Sequence, residues 1–174
     1  MARLKEQLQS GTCLLPFPPP VPYPESMNSA KASVLLADDD PHLMALLQRH
    51  IEEMGFTVIP CPDRPAMLAA LEQGEPDVVL LDLRFGQHDG EAILQEQLAQ
   101  RPGLAIILFT SHASIDSAVN AIKLGAFDYL VKPLDMTRLK VALNHAVEKK
   151  RMAQRLAHLE NLVVEDKSPP LWRL

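Results

Sequence analysis

Residues 33–40 have the sequence SVLLADDD, in which a short apolar run ends in three consecutive carboxylates. Three more apolar runs end in polar residues in the same way: 78–81 before Asp82, 106–109 before Thr110, and 129–131 before Lys132. Buried strands of a parallel sheet are almost continuously apolar, and their carboxyl ends meet at one edge, where open α/β sheets bind ligands. We therefore expect the carboxylates, the hydroxyl and the ammonium group to converge on one site.

The alternation of patterns along the chain predicts an α/β protein with a (βα)5 order. Five short apolar runs are predicted as strands: 33–37, 57–61, 78–81, 105–109 and 128–131. Apolar residues at helical spacing follow each run, and capping residues agree, with Pro41 opening the first helix and Ser114 and Asp135 preceding the fourth and fifth. Short connections between such elements imply right-handed crossovers and a doubly wound, five-stranded parallel sheet.

In this fold the usual order of the five strands is 2-1-3-4-5, which opens a crevice at the carboxyl ends of strands 1 and 3. Asp38, Asp39 and Asp82 would lie in that crevice, where they repel one another unless a cation neutralises them. Mg²⁺ prefers oxygen ligands and would screen a phosphoryl group attacked by a carboxylate. Lys132 would add a point charge for a phosphoryl oxygen, and Thr110 a hydroxyl.

Composition is compatible with this interpretation. The chain has 174 residues, 47% of them hydrophobic, and a net charge of -5. The length favours one domain with appendages, and the negative net charge gives no general attraction to nucleic acid. The sequence contains no apolar run near the ~20 residues needed to cross a bilayer. Cys13 and Cys61 show neither a disulfide framework nor zinc-ligand spacing. We expect a soluble, cytoplasmic protein that does not contact membranes.

Four segments are expected along the chain: a disordered Pro-rich tail at 1–31, the main domain at 32–148, a helical extension or linker at 149–167, and a tail at 168–174. Six prolines between Pro16 and Pro24 favour polyproline II over helix or central strand. Met27 lies shortly before the first strand. One hypothesis is therefore that translation begins at Met27 and that residues 1–26 are not translated.

The segment from about residue 32 to residue 147 resembles the receiver domains of two-component response regulators. The shared features are the acidic pair Asp38-Asp39, Asp82 with Gly90 eight residues later, Thr110, and Tyr129 three residues before Lys132-Pro133. This joint spacing is highly specific. The resemblance implies that a sensor histidine kinase or a phosphotransfer protein phosphorylates Asp82, and that the domain is a phosphoacceptor with at most slow self-phosphorylation and self-dephosphorylation.

The resemblance also implies the ligands of a Mg²⁺ ion. Asp39 and Asp82 would bind the ion directly, the backbone carbonyl of Arg84 would be a third ligand, and Asp38 would act through water. Asp40 is expected to be an acid in the first turn of the first helix, where it favours the helix dipole, and not a ligand.

By the same resemblance, Thr110 and Lys132 would bind the phosphoryl group, and Tyr129 would be an aromatic switch whose rotamer follows Thr110. The change would be transmitted through the face formed by the fourth helix, the fifth strand and the fifth helix. The Lys132-Pro133 bond is expected to be cis, as in such domains, although only ~5% of X-Pro bonds are cis in general.

The loop after Asp82 departs from the family pattern. Receivers commonly have Met-Pro there, whereas residues 83–90 are LRFGQHDG, so a permissive glycine replaces a rigid proline. We expect a more mobile loop and a less preorganised Arg84 carbonyl. Arg84 and His112 occupy positions that border the path of hydrolytic water in the family. Our hypothesis is that these bulky side chains lengthen the lifetime of the phosphoryl-aspartate.

The last predicted helix continues past the main domain. Met152, Leu156, Leu159 and Val163 repeat at 4-3-4 spacing, which is typical of a coiled coil. A homodimer through this helix and through the helix 4, strand 5 and helix 5 face is one interpretation, and a solvated helical tail is the other. The basic residues 149–151 have no recognition motif beside them, so direct DNA binding is not expected.

Two further functions are open to test. The chain could be the receiver part of a longer transcriptional regulator, for which the coiled-coil-like extension is the supporting feature. A Mg²⁺-dependent phosphohydrolase with Asp38 as nucleophile is less favoured. Dehalogenase-like phosphatases have Asp-x-Asp-x-Thr/Val, and although Asp38 and Asp40 supply the acids, His42 occupies the last position.

Overall fold

The computed structural model of the protein describes residues 31–165. The elements in this part of the chain are β1 (Ser33–Ala37), α1 (Pro41–Glu53), β2 (Thr57–Cys61), α2 (Arg64–Gln73), β3 (Val78–Asp82), β4 (Arg84–Phe85), β5 (His88–Asp89), α3 (Gly90–Gln100), β6 (Ile106–Thr110), α4 (Ile115–Lys123), β7 (Asp128–Val131) and α5 (Met136–Glu165). The tails predicted at 1–31 and 168–174 lie outside the described residues, apart from Lys31. Met27, the hypothetical start, lies outside them as well.

Five of the strands form one parallel sheet in the order β2-β1-β3-β6-β7. This confirms the predicted doubly wound fold and its order 2-1-3-4-5, because β6 and β7 are the fourth and fifth strands of the main sheet. Two strands differ from the prediction: β3 ends one residue later, at Asp82, and both ends of β6 are shifted by one residue, to Ile106 and Thr110. Asp82 pairs with Phe109 and Thr110 pairs with Val131, so Asp82 and Thr110 belong to the final rungs of the sheet.

Both faces of the sheet are covered, which explains the almost continuous apolar character of its strands. One face packs against α1 and α5, and its core contains Leu36, Phe109, Ile51 and Leu143. The opposite face packs against α2, α3 and α4. The sheet is therefore buried except at its ends and edges, and polar side chains of the strands can reach solvent only where the strands end.

Local sequence accounts for the helix boundaries. The carboxylate of Asp40 accepts hydrogen bonds from the N–H groups of His42 and Leu43, at 2.9 and 3.2 Å, so Asp40 is the N-cap of α1. This corrects the predicted first-turn position, since the side chain satisfies helix N–H groups from outside the helix. Asp135 caps α5 in the same way, through the N–H groups of Thr137 and Arg138.

Helix α5 has 30 residues and is about 45 Å long at 1.5 Å per residue. Its first half packs against the sheet, whereas the side chains of residues 151–161 are exposed. The predicted extension therefore begins as an unbroken continuation of α5. Among the described helices, α5 included, none is both long and apolar enough to cross a membrane.

Candidate functional site

Three carboxylates meet where β1 and β3 end. These two strands are hydrogen-bonded neighbours, and Asp38 and Asp39 directly follow β1 while Asp82 closes β3. One carboxylate oxygen from each residue lies within 4.8 Å of the other two. Asp38 is fully buried, Asp82 is nearly so, and Asp39 is exposed. Three acidic oxygens at this separation, open to solvent on one side, suit a hard divalent cation such as Mg²⁺.

The ammonium group of Lys132 lies between two of these carboxylates. Its Nζ donates to Asp38 Oδ2 at 2.9 Å and to Asp82 Oδ2 at 2.8 Å, and it stands 4.6 Å from the centroid of the Phe109 ring. Burial on its own disfavours the ammonium, but the hydrogen bonds to Asp82 and Asp38 outweigh it, and the pKa of Lys132 is raised. Lys132 is therefore held charged beside Asp82.

Burial raises the pKa of Asp38, because the charged carboxylate is removed from water. The hydrogen bond from Lys132 opposes this effect, as does the N–H of Asp40, which donates to Asp38 Oδ1 at 2.7 Å. The nearby charge of Asp82 adds to the rise. The single positive charge of Lys132 thus only partly neutralises the negative charge of the three carboxylates, and this favours the binding of a further cation.

The backbone packs closely behind Asp82. The N–H of Arg84 donates to Asp82 Oδ1 at 3.1 Å, and the N–H of Gly90 donates to the carbonyl of Leu83 at 2.8 Å. A β-carbon at Gly90 would lie 2.7 Å from both the Asp82 carbonyl oxygen and Leu83 Cα. In the sequence, Gly90 is recognised only by its spacing from Asp82. The structure gives the physical reason for glycine: the start of α3 crosses the backbone of Asp82 with no room for a side chain.

The loop after Asp82 is a short hairpin. Arg84 and Phe85 of β4 pair with residues 88–89 of β5, and Gly86 makes the turn with φ +64°. Phe85 is buried in the core between the sheet and the helices α2, α3 and α4, while the Arg84 side chain is exposed. These two strands were not predicted from the sequence, because a two-residue ladder gives too little alternation to detect. Gly86 supplies a backbone conformation that other residues rarely adopt.

Thr110 and Lys132 stand side by side at the ends of β6 and β7. The N–H of Lys132 donates to the carbonyl of Thr110 at 2.8 Å, and the Lys132-Pro133 bond is cis. The Thr110 hydroxyl is buried and accepts the N–H of His112 at 3.1 Å. The His112 side chain is exposed. The sheet therefore brings Thr110, Lys132 and the acidic cluster to one edge.

Tyr129 connects β7 to α4. It is 6% exposed, and its hydroxyl lies 2.9 Å from Oγ of Ser117. Ser117 also forms a capping box with Ser114 at the N-terminus of α4. The Ser114 cap was predicted from the sequence, whereas the role of Ser117 was not. The spacing of three residues between the two serines was the available clue, since a capping box joins the N-cap to the third residue of the helix.

Asp40 is not part of the cluster. The N–H groups of Leu43 and His42 lower the pKa of its carboxyl and engage the oxygen that caps α1. In the phosphohydrolase interpretation, Asp40 would be the second acid beside Asp38. Its carboxylate instead accepts hydrogen bonds at the N-terminus of α1.

Comparison with known proteins gives a consistent result. Residues 34–144 match the family described as response regulator receiver domain. The alginate biosynthesis transcriptional regulatory protein AlgB of Pseudomonas aeruginosa is 31% identical over 139 residues, which are 80% of this chain and 31% of AlgB. The DNA-binding transcriptional regulator NtrC of Proteus hauseri is 34% identical over 133 residues, which are 76% of this chain and 28% of NtrC. The chain thus spans about a third of the length of these curated relatives.

Solved structures agree with the sequence matches. A response regulator receiver domain protein from Clostridium thermocellum superposes with a TM-score of 0.66 at 30% identity, covering 70% of this chain and 98% of that one. NtrX from Brucella abortus, solved in complex with ADP, superposes with a TM-score of 0.69 at 29% identity, covering 75% of this chain and 30% of NtrX. The family match extends over most of the chain, and the fold agrees with it. The chain therefore belongs to the response regulator receiver domain family of two-component signal transduction.

Proposed function

We propose that Asp82 accepts a phosphoryl group from a sensor histidine kinase or a phosphotransfer protein. The observation that carries the proposal is the placement of the Asp82 carboxylate at the sheet edge, 2.8 Å from the Lys132 ammonium and beside two further carboxylates. The cytoplasmic location expected from the sequence is part of this proposal. The domain acts as a phosphoacceptor, with at most slow self-phosphorylation and self-dephosphorylation.

In the transfer step, an oxygen of Asp82 forms a bond to phosphorus as the bond between phosphorus and the donor's imidazole nitrogen breaks. The imidazole leaves with the electron pair of that bond, and the product is an acyl phosphate on Asp82. The ammonium of Lys132, now shared by Asp38 and Asp82, is placed to pair with a phosphoryl oxygen. The Thr110 hydroxyl, which now accepts the N–H of His112, would turn to donate to another phosphoryl oxygen.

We also propose a Mg²⁺ site formed by Asp39, Asp82 and the carbonyl of Arg84, with Asp38 acting through water. Bound Mg²⁺ would screen the negative charge of the phosphoryl oxygens from the carboxylates. The fit rests on the three clustered acidic oxygens and on the raised pKa of Asp38. Isothermal titration calorimetry tests the site: Asp39→Asn should weaken Mg²⁺ binding, whereas Asp40→Asn, which changes a helix cap, should not. Equal affinities in the two variants would contradict the proposed ligands.

Phosphorylation would be read through Thr110 and Tyr129. In this proposal, Tyr129 would respond to the turn of Thr110 toward the phosphoryl group, and its hydroxyl is bonded to Ser117 of α4. Around this tyrosine the α4, β7 and α5 surface exposes several apolar side chains: Ile115, Val119, Ile122, Val131 and Val141. We propose that this surface passes the change to an output partner or to a second copy of the chain.

Mass spectrometry of the intact protein after incubation with Mg²⁺ and acetyl phosphate tests the proposed acceptor. Wild type should gain one phosphoryl group, and Asp82→Asn should gain none, because the neutral amide at position 82 is too weak a nucleophile to displace acetate from phosphorus. Asp116→Asn, which alters an exposed aspartate of α4, is the matched control and should be phosphorylated like wild type. An adduct that persists in Asp82→Asn would contradict the assignment.

A second proposal is that this receiver domain is part of a longer transcriptional regulator. It is favoured by the names of AlgB and NtrC and by the share of their length that the chain spans. DNA binding would then reside outside the residues of this chain. An immunoblot of native cell extract with an antibody against the receiver domain would show a band about three times larger than this chain, as its share of the relatives implies. A band at 19.3 kDa alone would contradict it.

A further inference from the structure

We infer that Phe109 is a positioning residue of the phosphoacceptor site, whose ring holds the Lys132 ammonium in place beside Asp82. Phe109 is fully buried, and Lys132 Nζ stands over its ring, 4.6 Å from the centroid. A cation within about 6 Å of an aromatic centroid and over the ring face is attracted by the ring quadrupole. The inference rests on the proposed function, because it gives Phe109 a part in the same phosphoryl transfer.

The sheet fixes the Phe109 ring next to the acceptor. Phe109 and Asp82 are register partners on the neighbouring strands β6 and β3, so their side chains leave the same face of the sheet. The backbone of Phe109 is held as well, since its carbonyl accepts the N–H of Leu83 at 2.9 Å. The ring therefore has little freedom to move relative to the Asp82 carboxylate.

Lys132 reaches Asp82 across the strand that carries this ring. Lys132 directly follows β7, and β6 lies between β7 and β3 in the sheet. Neighbouring strands are about 4.8 Å apart, so the side chains of Lys132 and Asp82 together bridge roughly 10 Å above Phe109. A flexible four-carbon stem has many other conformations. The ring favours the one that brings the ammonium to the acceptor.

The contact with the ring differs in kind from the hydrogen bonds of the ammonium. Of its three donor hydrogens, Asp38 and Asp82 accept one each. In the proposed transfer, the bond to Asp82 is exchanged for one to a phosphoryl oxygen. Attraction to a ring face depends on the position of the charge and not on the direction of any N–H bond. The ring can therefore hold the ammonium while its hydrogen bonds change partner.

The burial of both partners makes the ring more than an apolar filler. The side chain of Lys132 is 14% exposed and Phe109 is not exposed at all, and a cation–π contact strengthens when water is excluded. An aliphatic side chain at position 109 would exclude water in the same way, but it would not attract the charge. Because a charged group that is already in place needs no reorganisation in the transition state, the ring should speed the transfer.

Fluorinated phenylalanines separate this role from core packing. Fluorine atoms withdraw electron density from the ring face and weaken cation binding, while the ring keeps nearly the same size. With mono-, di- and trifluorophenylalanine at position 109, the rate of Asp82 phosphorylation by acetyl phosphate and Mg²⁺ should fall with each fluorine. Intact mass over time gives the rates. The total decrease should be roughly three- to tenfold, because a desolvated cation–π contact is strong enough for such a change.

Phe127 is the matched control. Its ring centroid lies 5.4 Å from Lys149 Nζ, so it forms the same kind of contact. Its N–H donates to the carbonyl of Ile106, the first residue of β6, which places it at the end of the sheet opposite Asp82. The same fluorinated series at position 127 should leave the rate of phosphorylation unchanged.

Nuclear magnetic resonance of the unphosphorylated protein tests the contact separately. The ring current of Phe109 should shift the Hε resonances of Lys132 upfield of those of the exposed Lys140, and Phe109→Leu should remove the shift. Equal resonances in wild type, or a rate of phosphorylation that fluorine at position 109 leaves unchanged or raises, would overturn the inference and leave the proposed function intact. A wild type that is not phosphorylated on Asp82 would refute both.

Discussion

The phenolic oxygen of Tyr129 lies 2.9 Å from the hydroxyl oxygen of Ser117, so the last strand of the sheet is tied to the first turn of α4. Ser117 also accepts the N–H of Ser114 at 3.1 Å and thereby belongs to the cap of that helix. A movement of Tyr129 would displace or break this hydrogen bond at the N-terminus of α4. This contact offers a direct path from the edge of the sheet to the proposed output surface.

A double-mutant cycle tests that path. Tyr129→Phe removes only the hydroxyl and should lower the free energy of unfolding by about 1 kcal/mol, the typical net value of such a hydrogen bond. Ser117→Ala should cost about 1 kcal/mol more than that, because it also removes half of the capping box. In the Ser117→Ala background, Tyr129→Phe should have almost no effect. Strictly additive losses in urea denaturation would show that the two hydroxyls do not interact.

The close approach of α3 to Asp82 predicts a second effect. Gly90→Ala places a β-carbon against the backbone of Asp82 and Leu83, so it should destabilise the fold by about 1–3 kcal/mol, as overpacking does. It should also slow phosphorylation by acetyl phosphate, because the carboxylate must shift with its backbone. Gly103→Ala is the matched control, since a β-carbon there meets no atom within 4 Å. Equal stability and phosphorylation rate in the two variants would count against the crowding argument.

Much of the fold follows from local patterns in the sequence. The strand order was predictable because short βα connections and continuous apolar runs leave few arrangements of a parallel sheet. Asp38, Asp39, Asp82, Thr110 and Lys132 were predictable as a cluster for the same reason, since each follows or closes a strand. The hairpin after Asp82 was not predictable, because it depends on the tertiary burial of Phe85 and not on a repeating pattern.

Contacts between distant residues were also beyond the sequence. Nothing in the spacing of Ser117 and Tyr129 indicates that their hydroxyls meet. Likewise, nothing in the sequence around Gly90 indicates that this residue packs against the backbone of Asp82 and Leu83. Asp40 was correctly expected to lie outside the cluster, but its helix position was wrong: it is the N-cap of α1 and not a residue of the first turn. The two positions are adjacent in sequence, so the pattern does not distinguish them. These are details of side-chain direction, which the periodicity of helices and strands does not determine.

The pH dependence of stability should separate Asp38 from Asp40. Burial raises the pKa of Asp38, so the folded protein binds this proton more tightly than the unfolded chain does. Its contribution to stability is greatest at low pH and is lost as the pH rises from the ordinary value of 3.8 through the raised pKa. In Mg²⁺-free buffer, Asp38→Asn should therefore gain stability relative to wild type over that range and then reach a plateau.

Asp40 should show the opposite sign. Its pKa is lowered by the backbone N–H groups that it caps, so its contribution is present above 3.8 and is lost as the pH falls through the lowered pKa. The free energy of unfolding of wild type should therefore rise as the pH increases toward 3.8, and Asp40→Asn, which lacks this contribution, should fall behind it. Denaturant titrations across the acid range measure both differences. Slopes of the same sign for the two variants would contradict the assigned environments.

Arg84 and His112 should control how long the phosphoryl group persists. The Arg84 side chain is exposed at the start of the hairpin, and that of His112 is exposed two residues after Thr110. If these side chains restrict the approach of water, Arg84→Ala should lose its phosphoryl group faster than wild type, and the double change with His112→Ala faster still. The decay of the phosphorylated mass after removal of acetyl phosphate gives the rates. Arg49→Ala, which changes an exposed arginine of α1, is the control. If Arg84→Ala loses its phosphoryl group no faster than Arg49→Ala, the hypothesis is wrong.

The most direct test of the central claim is to locate the phosphorylated residue chemically. Sodium borohydride reduces an acyl phosphate of aspartate to homoserine, which tandem mass spectrometry can place in a peptide. After phosphorylation with acetyl phosphate and Mg²⁺, we predict homoserine at position 82 and unmodified aspartates at positions 38 and 39. Homoserine at position 38 would instead support the phosphohydrolase interpretation, and an unmodified Asp82 in phosphorylated protein would contradict the account.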